Sequence, residues 1–123
     1  MQPDAWRSAY RNVLGVTPRT DAEGCLQDGH WADGMIGYFP TYTLGDVFAA
    51  QLYAAAELEL GSLGEQFARG EFSALVQWLG QRVYRQGGRH PSVRLIEVVT
   101  GSPPDHRPLV RLLRQKYEAL YEI

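Results

Sequence analysis

Cysteine is almost missing from this sequence, and its scarcity sets the first limits. Cys25 is the only one, so no internal disulfide can form and no multi-cysteine zinc site can be built. A reducing, cytoplasmic setting suits such a chain. Histidine is also rare: His30, His90 and His106 lie far apart, and no H-E-x-x-H pair places two imidazoles on one helix face. Asp28 and His30 alone would make a weak, open pair, so no intrinsic metal site is expected. Excess charge of either sign is missing too, since 12 Lys and Arg face 14 Asp and Glu for a net charge of -2. Neither nucleic acid nor an anionic membrane is an expected partner. The most apolar window, residues 47–60, contains Gln51, Glu57 and Glu59 and is too short to span a bilayer. The opening "MQPDAWRSAY" has no secretion-signal pattern. Nothing marks Cys25 as an activated thiolate, and no G-x-S-x-G elbow or phosphate-cradling glycine loop occurs.

Sustained period-two alternation is absent as well, which leaves helices. The chain is long enough for one domain, residues 1–123, and is expected to be all-α with about five to seven helices. Pro3 and Asp4 start one over roughly 4–14, where Trp6, Tyr10, Val13 and Leu14 share a side. The stretch "DAEGCLQDGHW" is broken by Gly24 and Gly29 into short turns. Pro40 ends a loop, Thr41 or Thr43 is the expected N-cap, and a helix runs to about Leu60 with apolar residues on nearly every side. That pattern predicts a central helix packed on several neighbours. Ser62 and Glu65 suggest a capping box. Amphipathic helices follow over roughly 71–86 and 92–99, and a last one begins after Asp105, with Leu109, Leu113, Tyr117 and Leu120 along one face. Arginines gather in the second half, where solvated helix faces are the expected meaning.

One constellation has chemical potential: His30 with Trp31, Tyr38 and Tyr42, supported by Gln27, Asp28 and Gln51. By composition the aromatics read first as a cap on the apolar helix, with His30 and Asp28 hydrogen-bonded to each other or to backbone. The other reading makes His30 and a tyrosine donors to a developing oxyanion. That chemistry needs a further group to polarise a carbonyl and deliver water.

The residues then resemble something specific. "GCLQDGHW" followed by "GYFPTYTLGDVFAAQ" is similar to the two C-terminal signatures of the M32 metallocarboxypeptidases, the carboxypeptidase Taq family: G-x-x-Q-D-x-H-W and G-Y-F-P-x-Y-x-L-G-x-x-x-A-A-Q. Gly24, Gln27, Asp28, His30 and Trp31 match the first; Gly37, Tyr38, Phe39, Pro40, Tyr42, Leu44, Gly45, Ala49, Ala50 and Gln51 match the second. The flanking segments are similar too, so the likeness covers essentially the whole chain.

The resemblance implies an all-helical fold and the C-terminal part of a zinc carboxypeptidase that removes C-terminal amino acids from peptides. It also implies that the zinc ligands and the general base of H-E-x-x-H lie upstream, in a part that this sequence does not contain. His30 would then be a hydrogen-bond donor to substrate or transition state, Asp28 would orient it, and Tyr38 or Tyr42 would help polarise the scissile carbonyl. Gln27, Trp31 and Gln51 would support them. With no zinc of its own, the chain is expected to be inactive alone. The alternatives are a stand-alone helical module that forms homodimers or larger oligomers through exposed apolar helix surface, and half of a split enzyme completed by another chain.

Overall fold

The computed structural model describes residues 3–122, and all its regular elements are helical. In order they are α1 (Pro3–Leu14), α2 (Gly29–Ala32), α3 (Pro40–Leu60), α4 (Leu63–Ala68), α5 (Ser73–Arg82), a 3₁₀ turn (Tyr84–Gln86), α6 (Ser92–Thr100) and α7 (Arg107–Tyr121). The chain divides into two compact units, Met1–Thr41 and Tyr42–Ile123.

In the first unit, α1 starts at the proline, whose missing N–H costs a first turn nothing. It stops at Gly15, which takes φ +69° and donates its N–H to the Arg11 carbonyl at 3.0 Å. Trp6 and Tyr10, one turn apart, stack with ring centroids 3.8 Å apart. Arg7 on the same helix pairs with Asp21, tying it to the turn that follows. Gly24 is buried there because the Trp6 ring leaves no room for a side chain: an added Cβ would lie 3.3 Å from Trp6 Cζ3, from Pro18 Cβ and from the Thr20 carbonyl oxygen.

The second unit is built on α3. The helix begins at Pro40 itself rather than after a threonine cap. Proline at the first helical position sets φ in advance, and the Thr41 hydroxyl donates to the Tyr38 carbonyl at 2.6 Å instead of capping. The expected all-round burial holds only in part: Ala50, Gln51 and Ala56 are buried, whereas Ala49 and Leu58 are exposed. Ala56 joins Leu63, Trp78 and Val99 in the core, with Leu52, Phe67, Leu79 and Leu95 packed around it. Each of α3, α4, α5 and α6 therefore contributes one buried residue to a single cluster. Tyr53 lies beside it and donates to Glu57 at 3.3 Å; burial first, and the Glu57 carboxylate second, raise its pKa above the ordinary tyrosine value.

Ser62 caps α4, accepting the Glu65 N–H at 3.3 Å. The single helix expected over 71–86 is broken at Val83, where the backbone (φ -106°, ψ -60°) passes into the 3₁₀ turn. The last helix carries its apolar stripe, yet none of its residues is buried. His106 rather than Asp105 occupies its N-cap, but the Asp105 carboxylate still accepts the Arg107 N–H at 3.0 Å.

Candidate functional site

The segment from Asp21 to Pro40 is too rich in glycine to propagate a long helix, and short turns place its side chains. Asp28 is the pivot. Its carboxylate oxygen Oδ1 caps α2 by accepting the His30 backbone N–H at 3.0 Å and lies 2.7 Å from His30 Nδ1. One carboxylate thus closes the turn and holds the imidazole, with the two side chains about one-fifth exposed. A carboxylate only accepts, so Nδ1 carries the hydrogen. In the neutral ring Nε2 is then an acceptor, and only a doubly protonated ring donates there.

Two aromatic rings also contact the imidazole. Tyr38 stacks on it with centroids 4.9 Å apart and planes 28° apart. Phe39 meets it edge-on at 6.1 Å. Gln27 supports the turn, its amide donating to the Ala22 carbonyl. Asp28, His30, Tyr38 and Gln27 therefore belong to one local structure, built by nearby residues of the chain.

Tyr42 and Gln51 lie in the second unit. Tyr42 stands in the first turn of α3 with 56% of its surface exposed. The Gln51 side chain is 6% exposed and binds the turn between α6 and α7. Its amide nitrogen donates to Thr100 Oγ1 at 3.1 Å, to the Pro103 carbonyl at 3.0 Å and, longer, to that of Ser102 at 3.3 Å. Its oxygen accepts the Asp105 N–H at 2.9 Å. In that turn the Asp105 carboxyl is held below its ordinary pKa, chiefly by the Arg107 backbone N–H and then by the Arg107 side chain.

Beside the histidine the first unit holds a cavity of about 640 Å³. Trp31, Gln27 and Asp28 line part of it; Trp6, Tyr10, Ile36 and Phe39 supply most of its apolar wall. These last four were not identifiable as site residues from the sequence. The one available signal was the i, i+4 aromatic pair on α1 next to a glycine that admits no side chain. Cys25 also faces this cavity and is half-buried. Among the described residues no group of three or more His, Cys, Asp or Glu side chains could hold a metal ion. Among them, too, no helix is long and apolar enough to cross a membrane.

Comparison with known proteins matches this geometry to one family. The family model described as carboxypeptidase Taq (M32) metallopeptidase matches residues 2–117. Thermostable carboxypeptidase 1 of Thermus thermophilus is 49% identical over 97% of this chain, which spans 23% of the relative. Carboxypeptidase 1 of Bacillus subtilis is 43% identical over 97%, again spanning 24% of the relative. The backbone superimposes on the crystal structure of an M32 carboxypeptidase from Deinococcus radiodurans R1 with TM-score 0.91 and 45% identity, covering 98% of this chain and 24% of that one. The chain thus corresponds to about a quarter of each of these proteins.

Proposed function

Because the chain belongs to the carboxypeptidase Taq (M32) metallopeptidase family, we propose that it forms one wall of a carboxypeptidase cleft, the wall that brings His30 and Tyr38 to the reacting end of a peptide. The observation that carries this reading is the 2.7 Å contact between His30 Nδ1 and Asp28 under the stacked Tyr38 ring. Packing alone would not require an imidazole fixed at one nitrogen as well as stacked on a tyrosine ring.

In this role Asp28 is a positioning residue, holding the proton on Nδ1 and aiming Nε2. A neutral His30 accepts a proton or hydrogen bond at Nε2; a protonated one donates there to an oxygen gaining negative charge, while Asp28 balances the ring's charge. The Tyr38 hydroxyl, or that of Tyr42, is the second candidate donor to that oxygen. Zinc, the metal the resemblance implies, supplies a Lewis acid and an activated water when bound. In this reading, as the resemblance implies, its ligands and the general base lie in the part of the fold that this chain does not span. The chain alone is inactive in this reading. A reducing cytoplasm suits its one cysteine.

Two measurements test it. The purified chain, given zinc and a peptide, should release no C-terminal amino acid above the blank; sustained release that a His30→Ala variant loses would overturn inactivity alone. Grafted in place of the matching segment of the Thermus thermophilus relative, the chain should support peptide trimming. There His30→Ala should lower kcat by about 10²–10³-fold, and an unchanged kcat would remove His30 from the chemistry.

A further inference from the structure

Two consecutive residues, Tyr38 and Phe39, bring their rings to the same imidazole. Successive side chains of an extended segment point to opposite sides, so this convergence needs a turn. Gly37 supplies it with φ +83°, a conformation that costs glycine little. The Tyr38 N–H then donates back to the Met35 carbonyl at 3.3 Å. Pro40, the first residue of α3, disfavours the helical region for the Phe39 backbone.

The contacts on His30 restrain different motions. Asp28 Oδ1 lies 2.7 Å from Nδ1, and one hydrogen bond leaves the ring able to swing about that contact. Tyr38 stacks with planes 28° apart and centroids at 4.9 Å. Such a stack resists tilting but tolerates sliding and in-plane rotation. Phe39 stands at 79° to the imidazole with centroids 6.1 Å apart, the edge-to-face arrangement that ring quadrupoles favour. A ring set across the imidazole in this way blocks the motions that the other two contacts permit.

We propose that Phe39 is a positioning residue: its ring fixes the angle of the His30 imidazole, and so the direction in which Nε2 meets substrate. The inference rests on the catalytic reading of His30 above and adds a residue to it. A phenyl ring has no proton to give or take, so Phe39 has no share in the proton transfers themselves. Its contribution is alignment, and misplacing a reacting group by about 1 Å can cost ~10²-fold in rate.

The test uses the grafted relative, with this chain in place of the matching segment of the Thermus thermophilus enzyme. Phe39→Leu should lower kcat for peptide trimming at least fivefold, with KM changed less than twofold. Phe39→Tyr, which keeps an aromatic ring at the position, should restore most of that loss. In a His30→Ala background Phe39→Leu should cost less than twofold more, because the ring then has nothing to aim. A residue needed only for folding would give the same loss in both backgrounds. The proposal is overturned by a smaller loss of kcat, by an equal loss with and without His30, or by a Phe39→Tyr variant as slow as Phe39→Leu. If His30→Ala changes nothing, the catalytic reading falls and this inference falls with it. If His30→Ala costs its about 10²–10³-fold and Phe39→Leu costs nothing, only this inference falls. The chain by itself gives a readout that needs no activity, and it decides the matter even where a grafted variant fails to fold. Phe39→Leu should move the His30 ring-proton resonances in NMR spectra through the lost ring current. Unmoved resonances would show that the Phe39 ring does not hold the imidazole.

Discussion

Gln51 shows how much one side chain can decide. Its amide reaches three oxygens and one N–H of a single turn, and burial makes those groups expensive to leave unpaired. Gln51→Ala should cost about 2 kcal/mol of unfolding free energy in urea titration. Gln51→Glu should cost more, because a carboxylate would face three oxygens where a donor is needed. Asp105 in the same turn gives a pH signature. Its folded pKa lies below the ordinary value near 3.8, so its contribution to stability is complete above that value and fades as the pH falls toward the lowered one. The stability difference between the parent and Asp105→Asn should therefore shrink between neutral pH and about pH 3. A difference that stays constant over that range would place the effect elsewhere. His30 and Asp28 were identifiable as a pair from their spacing, because contacts two residues apart are local. The destination of the Gln51 amide was not, because its partners lie about fifty residues away.

At the scale of elements, termini were easier to read than interiors. The helix ends at Gly15, Gly61 and Gly101 follow from positive φ, which costs an L residue and not glycine. Gly61 offers a clean measure of that cost, since an added Cβ would meet nothing within 4 Å. Gly61→Ala should destabilise the second unit by about 1–2 kcal/mol through backbone strain alone, read as a lower midpoint in thermal or urea unfolding. The start of α3 differed from expectation because a proline at the first turn competes with a threonine cap. The break at Val83 carried no sequence signal, since "QWLGQRVYRQ" has neither proline nor glycine near that residue on its C-terminal side before Gly87. Apolar stripes also proved ambiguous. The stripe on α6 buries Ile96 and Val99, whereas Leu113, Tyr117 and Leu120 on α7 remain exposed. Periodicity marks which face seeks a partner, not whether this chain contains one.

For the molecule as a whole, the sequence by itself determined the helical class, the order of the helices, most of their ends and the family motifs. Those features depend on interactions within a few residues: a proline's fixed φ, a glycine's positive φ, a carboxylate two residues from a histidine. Only the tertiary structure decided that α3, α4, α5 and α6 share one buried cluster, while among the described residues of the first unit only Pro18 and Gly24 are buried. It also showed that Trp6, Tyr10, Ile36 and Phe39 meet around a cavity beside Asp28. Burial is a property of residues brought together across long stretches of chain, and a pattern of apolar residues is the same whether their partners are present or lie elsewhere in a larger fold.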